Sequence, residues 1–139
     1  MLRAVLDANV FVAAAIRPDG PPGLLLRRFL EGAAFELILS PSIVAEIARA
    51  LDYPAVRRCL RGPIDPTHWL DSVLLLADMV ENGTLQAQVS QDPDDDKYLY
   101  AAVAGGAHVV VSGDKHLLEL GDYRGIRIVT PRACLELVG

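Results

Sequence analysis

Short, mainly apolar runs alternate along the chain with longer segments of mixed polarity. The apolar runs lie at positions 2–6, 35–39, 108–112 and 125–129. The run at 108–112 is continuous and rich in β-branched Val, which is typical of a strand covered on both faces of a parallel sheet. A weak alternation over 85–89 indicates an irregular or edge strand. Because these runs alternate with helix-like segments, the pattern predicts a layered α/β fold with a parallel sheet.

Four helix starts are marked by a capping residue followed by proline. The pairs are Ser40-Pro41, Asp65-Pro66, Asp92-Pro93 and Thr130-Pro131. The capping side chain accepts a free backbone N–H, and proline at the first helical position loses no hydrogen bond. They predict helices over 41–51, 66–80, 93–104 and 131–138. Shorter helices are expected over 10–16, 24–30, 54–61 and 115–120, with a turn at Asn82-Gly83.

Length and composition indicate one compact domain. The 139 residues are the usual size of a domain, so we expect a single domain spanning 1–139. The 52% hydrophobic content argues against disorder. Only two cysteines occur, Cys59 and Cys134, which is typical of a protein without disulfides. With no signal-peptide pattern and no apolar run that could span a membrane, we expect a cytoplasmic location and no membrane partner.

The most distinctive stretch is Asp92-Pro93-Asp94-Asp95-Asp96, which holds four of the 18 acidic residues. Asp92 is explained as a helix cap and Asp94 as a complement to the helix dipole. Asp95 is favoured as an inward-facing carboxylate because it shares a helix face with apolar residues, and Asp96 is the second candidate. A carboxylate on such a face is unfavourable unless it is paired or bound to metal.

Three further acidic residues are candidates for the same site. Asp7 ends the first strand, where the sequence shows no helix-start signal that requires an acidic residue. Asp114 follows a buried strand and could equally cap the helix at 115–120. Glu46 taken alone fits the solvent face of its helix. Because the carboxyl ends of parallel strands meet at one edge of a sheet, all of these can converge there.

Several carboxylates with little histidine match the oxygen ligands that Mg²⁺ or Mn²⁺ prefers. His68, His108 and His116 are scattered, and no zinc-like spacing occurs. Such a metal site can activate water for attack on a phosphodiester and stabilise the leaving oxygen. The net charge of −5 argues mildly against a nucleic-acid binder, but a bound cation would invert the local charge.

In sequence order, four motifs resemble those of PIN-domain proteins, the ribonuclease fold of VapC-type toxins. They are Val5-Leu6-Asp7-Ala8-Asn9, Ser40-Pro41-Ser42-Ile43-Val44-Ala45-Glu46-Ile47, Asp92-Pro93-Asp94-Asp95-Asp96-Lys97-Tyr98-Leu99 and Ala107-His108-Val109-Val110-Val111-Ser112-Gly113-Asp114. Each motif is short, but four in order over nearly the whole chain are fairly specific. The resemblance implies a three-layer α/β/α sandwich with a parallel sheet of about five strands. It also implies a Mg²⁺- or Mn²⁺-dependent endoribonuclease.

The resemblance also implies roles for individual residues. The acidic quartet would be Asp7, Glu46, Asp95 and Asp114. Three of these, Asp7, Asp95 and Asp114, would bind the metal, while Glu46 would position or deprotonate the water. Asn9 and Ser112 match supporting polar positions. The implied partners are an RNA substrate, a cognate antitoxin that occupies the site, and a second copy of the chain in a homodimer.

Two other functions remain open at this stage. One is a PIN-like module without catalysis that binds RNA or a protein. The other is a receiver-like or phosphatase-like domain that transfers a phosphoryl group to Asp7, although Asp7-Ala8-Asn9 lacks the second carboxylate that such phosphatases need. The sequence argues against a dinucleotide-binding domain, because no G-x-G-x-x-G follows the first strand.

Overall fold

Strands and helices alternate along the chain, as the hydrophobic pattern predicts. The computed structural model describes residues 1–60, 65–85, 87–90 and 92–139. The strands are β1 (Arg3–Leu6), β2 (Glu36–Leu39), β3 (Asp78–Met79), β4 (Val109–Val111), β5 (Asp122–Tyr123) and β6 (Ile126–Val129). The helices are α1 (Ala8–Ile16), α2 (Pro21–Gly32), α3 (Pro41–Leu51), α4 (Pro54–Arg57), α5 (Pro66–Leu76), α6 (Asp96–Gly105), α7 (Lys115–Leu120) and α8 (Pro131–Val138). A 3₁₀ turn, Pro93–Asp95, leads directly into α6.

The strands form a single sheet in the order β3-β2-β1-β4-β6-β5. Every neighbouring pair is parallel except β5 and β6. The expected parallel sheet is therefore confirmed, with six strands instead of about five. Two of these strands, β3 and β5, were not predicted. Strand β5 turns back onto β6 through Arg124 and Gly125, whose positive φ angles of 51° and 82° suit a tight two-residue hairpin.

The two central strands form the middle of the core. Residues 4–6 of β1 and 109–111 of β4 are all buried, as expected for strands with helices on both faces. From α6, Leu99, Ala101 and Ala102 pack against this centre, where they bury the apolar face that supplies most of a helix's stability. In the ranges that the structure describes, no helix has both the length and the apolar character needed to cross a membrane.

All four predicted cap-and-proline helix starts are confirmed. The side chains of Ser40, Asp65, Asp92 and Thr130 each accept a backbone N–H from the first turn. The pair at Asp92 begins the 3₁₀ turn, so α6 itself starts at Asp96. These starts could be predicted because a cap bonds only to residues two or three positions ahead.

The region from residue 54 to residue 89 differs from the prediction. The helix predicted over 66–80 ends at Leu76, because residues 78–79 pair with β2 as an edge strand. Residues 81–85 are irregular, so the predicted turn at Asn82-Gly83 is wrong, and the described positions within 85–89 form no strand. The helix predicted over 54–61 ends at Arg57, and position 61 lies outside the described residues.

Gly23 in α2 allows the helix to approach the preceding loop closely. A Cβ atom at this position would lie 2.2 Å from the carbonyl oxygen of Pro18, whereas a Cβ at Gly32 would meet nothing within 4 Å. We expect Gly23→Ala to lower the free energy of unfolding by about 1–3 kcal/mol, because backbone must move to relieve the clash. Gly32→Ala, the matched control in the same helix, should leave stability unchanged or raise it. Urea unfolding followed by circular dichroism measures both, and equal stabilities would contradict this account.

Candidate active site

Asp7 lies at the carboxyl end of β1, beside the end of β4. The two strands pair in parallel with Leu6 opposite Val111, and the Asp7 N–H donates to the Val111 carbonyl oxygen at 2.9 Å. Ser112, the next residue after β4, therefore stands next to Asp7. Residues from opposite ends of the sequence meet here, at the edge of the sheet where ligands of parallel α/β folds bind.

The hydroxyl of Ser112 links Asp7 to Asp114. It donates to Asp7 Oδ2 at 2.8 Å and accepts the backbone N–H of Asp114 at 2.9 Å. Ser112 is completely buried, so both bonds form away from competing water. This hydroxyl fixes the spacing of the two acidic residues.

Asp7 also caps α1, which the sequence analysis did not predict. Its Oδ1 accepts the N–H of Asn9 at 3.0 Å. The interpretation that no helix start requires an acidic residue at Asp7 is therefore wrong, because α1 begins directly after β1. Asn9 contributes this backbone N–H, while its residue surface is exposed.

Burial raises the pKa of Asp7 above its ordinary value. The hydrogen bonds from Asn9 and Ser112 oppose this effect, and the negative charges of Glu46 and Asp114 add to it. Only 2% of Asp7 is exposed. A charged Asp7 is therefore stabilised by its two hydrogen-bond donors. It forms no ion pair among the residues that the structure describes, a situation that favours a bound cation.

Asp95 and Asp96, the two candidates for the inward-facing carboxylate, have different surroundings in the structure. Both carboxylate oxygens of Asp96 accept backbone N–H groups, from Val89 at 2.9 Å and Ser90 at 2.8 Å. Asp96 thus fastens the segment that precedes the 3₁₀ turn. Asp95 ends that turn, and its side chain caps no backbone N–H of α6.

The Asp95 carboxyl instead lies within hydrogen-bonding reach of Asp114. Partial burial, the hydrogen bond with Asp114 and the nearby negative charges raise the pKa of Asp95 to about 7. Those charges include Asp7. Asp114 itself caps α7 through a long 3.4 Å contact with the N–H of Leu117. The structure therefore gathers Asp7, Asp95 and Asp114 at one place.

Glu46 approaches the cluster from α3 and is held by two residues of α6. The hydroxyl of Tyr98 donates to Glu46 Oε1 at 2.6 Å, and the ammonium of Lys97 pairs with Oε2. The same Tyr98 oxygen accepts the N–H of Ala8, next to Asp7, at 3.2 Å. Tyr98 therefore connects Glu46 to the start of α1. Burial raises the pKa of Tyr98, so its hydroxyl remains protonated and can donate.

Sequence reasoning missed Lys97 and Tyr98 as residues of the site. A signal existed for Tyr98, because helical spacing places it on one face with Ala101 and Ala102, and a buried tyrosine needs a partner for its hydroxyl. Nothing local identifies that partner as Glu46, which is 52 positions away.

The three histidines lie outside the cluster. His108 Nδ1 accepts the N–H of Arg3 at 2.9 Å, at the start of β1 and hence at the opposite edge of the sheet. His68 and His116 are exposed. The candidate donor set thus consists of carboxylate oxygens, which suits Mg²⁺ or Mn²⁺ better than zinc.

The carboxylate oxygens of Asp7, Asp95 and Asp114 are the kind of ligand that a divalent cation such as Mg²⁺ prefers. Within the described ranges, no three acidic, His or Cys side chains already stand in a geometry that could hold a metal ion. Instead, burial and the nearby Asp114 and Asp7 raise the pKa of Asp95, so that its carboxyl holds its proton more tightly than an isolated one does. A cation would remove the need for that proton and let all three carboxylates remain charged.

Comparisons with known proteins bear on the family and the fold. Residues 3–116 match the family model described as PIN domain. The chain is 31% identical over 143 residues to the uncharacterized protein MJ1680 of Methanocaldococcus jannaschii, covering 97% of this chain and 90% of the relative. The crystal structure of PAE2754 from Pyrobaculum aerophilum matches with a TM-score of 0.61 at 19% identity, over 99% of this chain and 89% of that chain. The structural likeness supports a three-layer α/β/α fold.

We expect Asp95→Asn to stabilise the metal-free protein at neutral and alkaline pH. The pKa of Asp95 is about 7 in the folded protein, against about 3.9 in an unfolded chain. The folded state therefore holds this proton more tightly and loses stability as pH rises from about 4 to about 7. Asn cannot ionise and avoids this loss. The gain should be on the order of 1 kcal/mol, because solvent screens a partly exposed group.

Urea unfolding in EDTA at about pH 5 and about pH 8 measures this difference. The advantage of Asp95→Asn should be present at the higher pH and smaller at the lower one. Asp71→Asn, at an exposed position of α5, is the control and should show no such pH dependence. A variant advantage independent of pH would contradict the assignment.

We expect Tyr98→Phe to lower the free energy of unfolding by about 1–3 kcal/mol, because it leaves the buried N–H of Ala8 without its acceptor. Tyr100→Phe on the same helix is the matched control, since no hydrogen bond of its hydroxyl is found within the described ranges. Urea unfolding compares the two variants. If both lose the same stability, the Tyr98 hydroxyl does not have the role assigned to it.

Proposed function

The chain belongs to the PIN-domain family, and on this basis we propose that it is a metal-dependent endoribonuclease that cleaves single-stranded or structured RNA. Nuclease-type function follows from the family. The observation that carries the finer proposal is the convergence of Asp7, Asp95 and Asp114, which come from three separate parts of the chain. A carboxylate cluster is poorly suited to bind RNA by itself, but it is well suited to hold a cation against a phosphodiester.

Asp7, Asp95 and Asp114 would hold Mg²⁺ or Mn²⁺. A divalent cation held there supplies an acidified water and charge stabilisation for in-line displacement at phosphorus. Ser112 keeps Asp7 and Asp114 in register through its two hydrogen bonds. Asp7 is fixed further by the N–H of Asn9, so these two ligands require little reorganisation when substrate binds.

Glu46 is better suited to orient a water than to remove its proton. Its two oxygens already accept from Tyr98 and pair with Lys97. These two contacts hold the carboxylate in one orientation, which suits the positioning of a water molecule. Each oxygen retains a second lone pair for a water molecule. Lys97 and Tyr98 are therefore positioning residues that act through Glu46.

We further propose that the protein is the toxin of a toxin–antitoxin pair and works in the cytoplasm as a homodimer. The support is the resemblance of the four motifs and an apolar surface on the outer part of the sheet. Leu75, Leu76 and Met79 are exposed at the end of α5 and in the edge strand β3. Apolar residues beside an unpaired edge suit a contact with another protein chain.

Phosphoryl transfer to Asp7 has less support than hydrolysis of RNA. Both oxygens of Asp7 accept hydrogen bonds, and only 2% of the residue is exposed. A phosphoryl donor would therefore have little access to this carboxylate. The other alternative, a PIN-like module that binds without catalysis, predicts that loss of the acidic residues leaves RNA or protein binding intact.

We expect the purified protein to cleave single-stranded RNA with Mg²⁺ or Mn²⁺ and to lose this activity in EDTA. Asp7→Asn should reduce the rate by at least about a hundredfold, because a neutral amide holds the cation less well. Glu46→Gln should lower kcat with less effect on KM. Cleavage of a labelled RNA followed by gel electrophoresis measures these rates.

Asp71→Asn, an equal change of charge at an exposed position on α5, is the control and should cleave like the wild type. Cleavage that persists in EDTA would contradict the metal mechanism. Full activity of Asp7→Asn would contradict the site, and failure of the wild type to cleave any RNA would favour the binding module.

A further inference from the structure

A polar groove lies beside the carboxylate cluster. It is formed by α3, by the irregular segment after β3 and by the beginning of α6, and it encloses about 550 Å³. This volume is within the range of about 300–1,000 Å³ that is usual for small-ligand sites. Its polar lining includes Ser42, Arg49, Asn82, Thr84, Asp94 and Lys97.

The groove continues the site along the same edge of the sheet. Ser42 follows the carboxyl end of β2 and Asn82 follows that of β3, whereas Asp7 follows the end of β1. These strands are neighbours in the sheet, and neighbouring strands are about 4.8 Å apart. Lys97 lines the groove and also pairs with Glu46. A chain that passes the carboxylate cluster can therefore continue directly into the groove.

The outer wall of the groove is held firmly. Asn82 Oδ1 accepts the N–H of Ser42 at 2.8 Å, which ties the segment after β3 to the start of α3. Gly83 lies against the ring of Tyr100, where a Cβ atom would be 2.1 Å from Cζ. The groove is thus formed by packed backbone before any ligand arrives, which limits the entropy lost on binding.

Arg49 is the cation of the groove that is free to take an anion. It lies one helical turn after Glu46, on the same face of α3, and residues at this spacing are about 5–6 Å apart. It is exposed, and among the described residues it takes part in no ion pair. Lys97, in contrast, is already paired with Glu46.

The acidic residues that line the groove, Asp94 and Asp96, form no ion pair with Arg49 in the part of the chain that the structure describes. Both oxygens of Asp96 accept backbone N–H groups of Val89 and Ser90. Asp94 is exposed at the start of the 3₁₀ turn, so its charge faces solvent. A guanidinium group with nearby hydroxyl and amide groups is the donor set that proteins use for phosphate and ribose.

We propose that this groove is a binding subsite for the RNA strand next to the scissile bond, and that Arg49 binds its phosphodiester. Ser42, Asn82 and Thr84 offer hydrogen-bonding groups to the adjoining ribose and phosphate. The inference rests on the proposed ribonuclease function. It adds the path of the bound RNA strand, which runs from the carboxylate cluster into the groove. Asp94 limits the affinity by its opposing charge.

The test measures RNA binding without metal, so that it does not depend on cleavage. Fluorescence anisotropy of a labelled oligouridine is recorded in EDTA at several salt concentrations with the full chain. We expect Arg49→Ala to weaken binding about tenfold and to reduce the salt slope by about 1, because one phosphate contact is lost. Asp94→Asn should act in the opposite direction and strengthen binding severalfold.

Arg28→Ala is the matched control, because Arg28 is an exposed arginine of α2 and takes no part in the groove. It should bind like the wild type. If Arg49→Ala keeps the affinity and the salt slope of the wild type, the inference is wrong. Polyglutamate is the comparison ligand, and Arg49-dependent binding of polyglutamate without binding of RNA would assign the groove to an acidic protein segment instead.

Cleavage by the same variants in Mg²⁺ separates this inference from the proposed function. Arg49→Ala should raise KM severalfold at nearly unchanged kcat. A wild type that cleaves RNA, together with an Arg49→Ala variant of unchanged KM, would overturn the groove and leave the ribonuclease intact. Arg49-dependent RNA binding without cleavage by the wild type would support the groove and overturn the ribonuclease.

Discussion

The parallel pairing of β1 with β4 is the constraint on which the site depends. It brings together Asp7 and Ser112, which are 105 positions apart, and the Ser112 hydroxyl then holds Asp7 and the backbone of Asp114 in one hydrogen-bonded unit. Residues 4–6 of β1 and 109–111 of β4 are buried, so a shift of register would disturb the core as well as the site. The stability of the sheet and the geometry of the carboxylates therefore both depend on the pairing of β1 with β4.

Without a cation, the grouping of Asp7, Asp95 and Asp114 lowers the stability of the folded protein, and this cost indicates a functional site. Burial and neighbouring negative charge raise the pKa of both Asp7 and Asp95. A fold selected only for stability would avoid such a grouping, whereas functional sites often keep it at a cost in stability. Glu46 is treated differently, because Tyr98 and Lys97 stabilise it. The site thus combines two carboxyl groups whose charged form is disfavoured, Asp7 and Asp95, with Glu46, which is held by a hydrogen bond and an ion pair.

Features governed by local chemistry could be predicted from the sequence, whereas those that depend on distant partners could not. Cap-and-proline pairs such as Ser40-Pro41 start helices because the cap bonds within its own first turn. The edge strand β3 was missed, since two residues form a strand only through their pairing with β2. The choice between Asp95 and Asp96 needed the backbone of Val89 and Ser90, which occupies Asp96. The expectation that acidic residues converge at one edge followed from the parallel direction of the strands, but their hydrogen bonds could not be predicted.

Anomalous diffraction from crystals of the protein grown with Mn²⁺ tests the central claim most directly. This measurement locates the cation without relying on activity or on the identity of the RNA. The account predicts an anomalous peak bonded to carboxylate oxygens of Asp7, Asp95 and Asp114, and loss of that peak in Asp114→Asn. Mn²⁺ bound elsewhere, or no peak at these carboxylates at a saturating concentration, would contradict it.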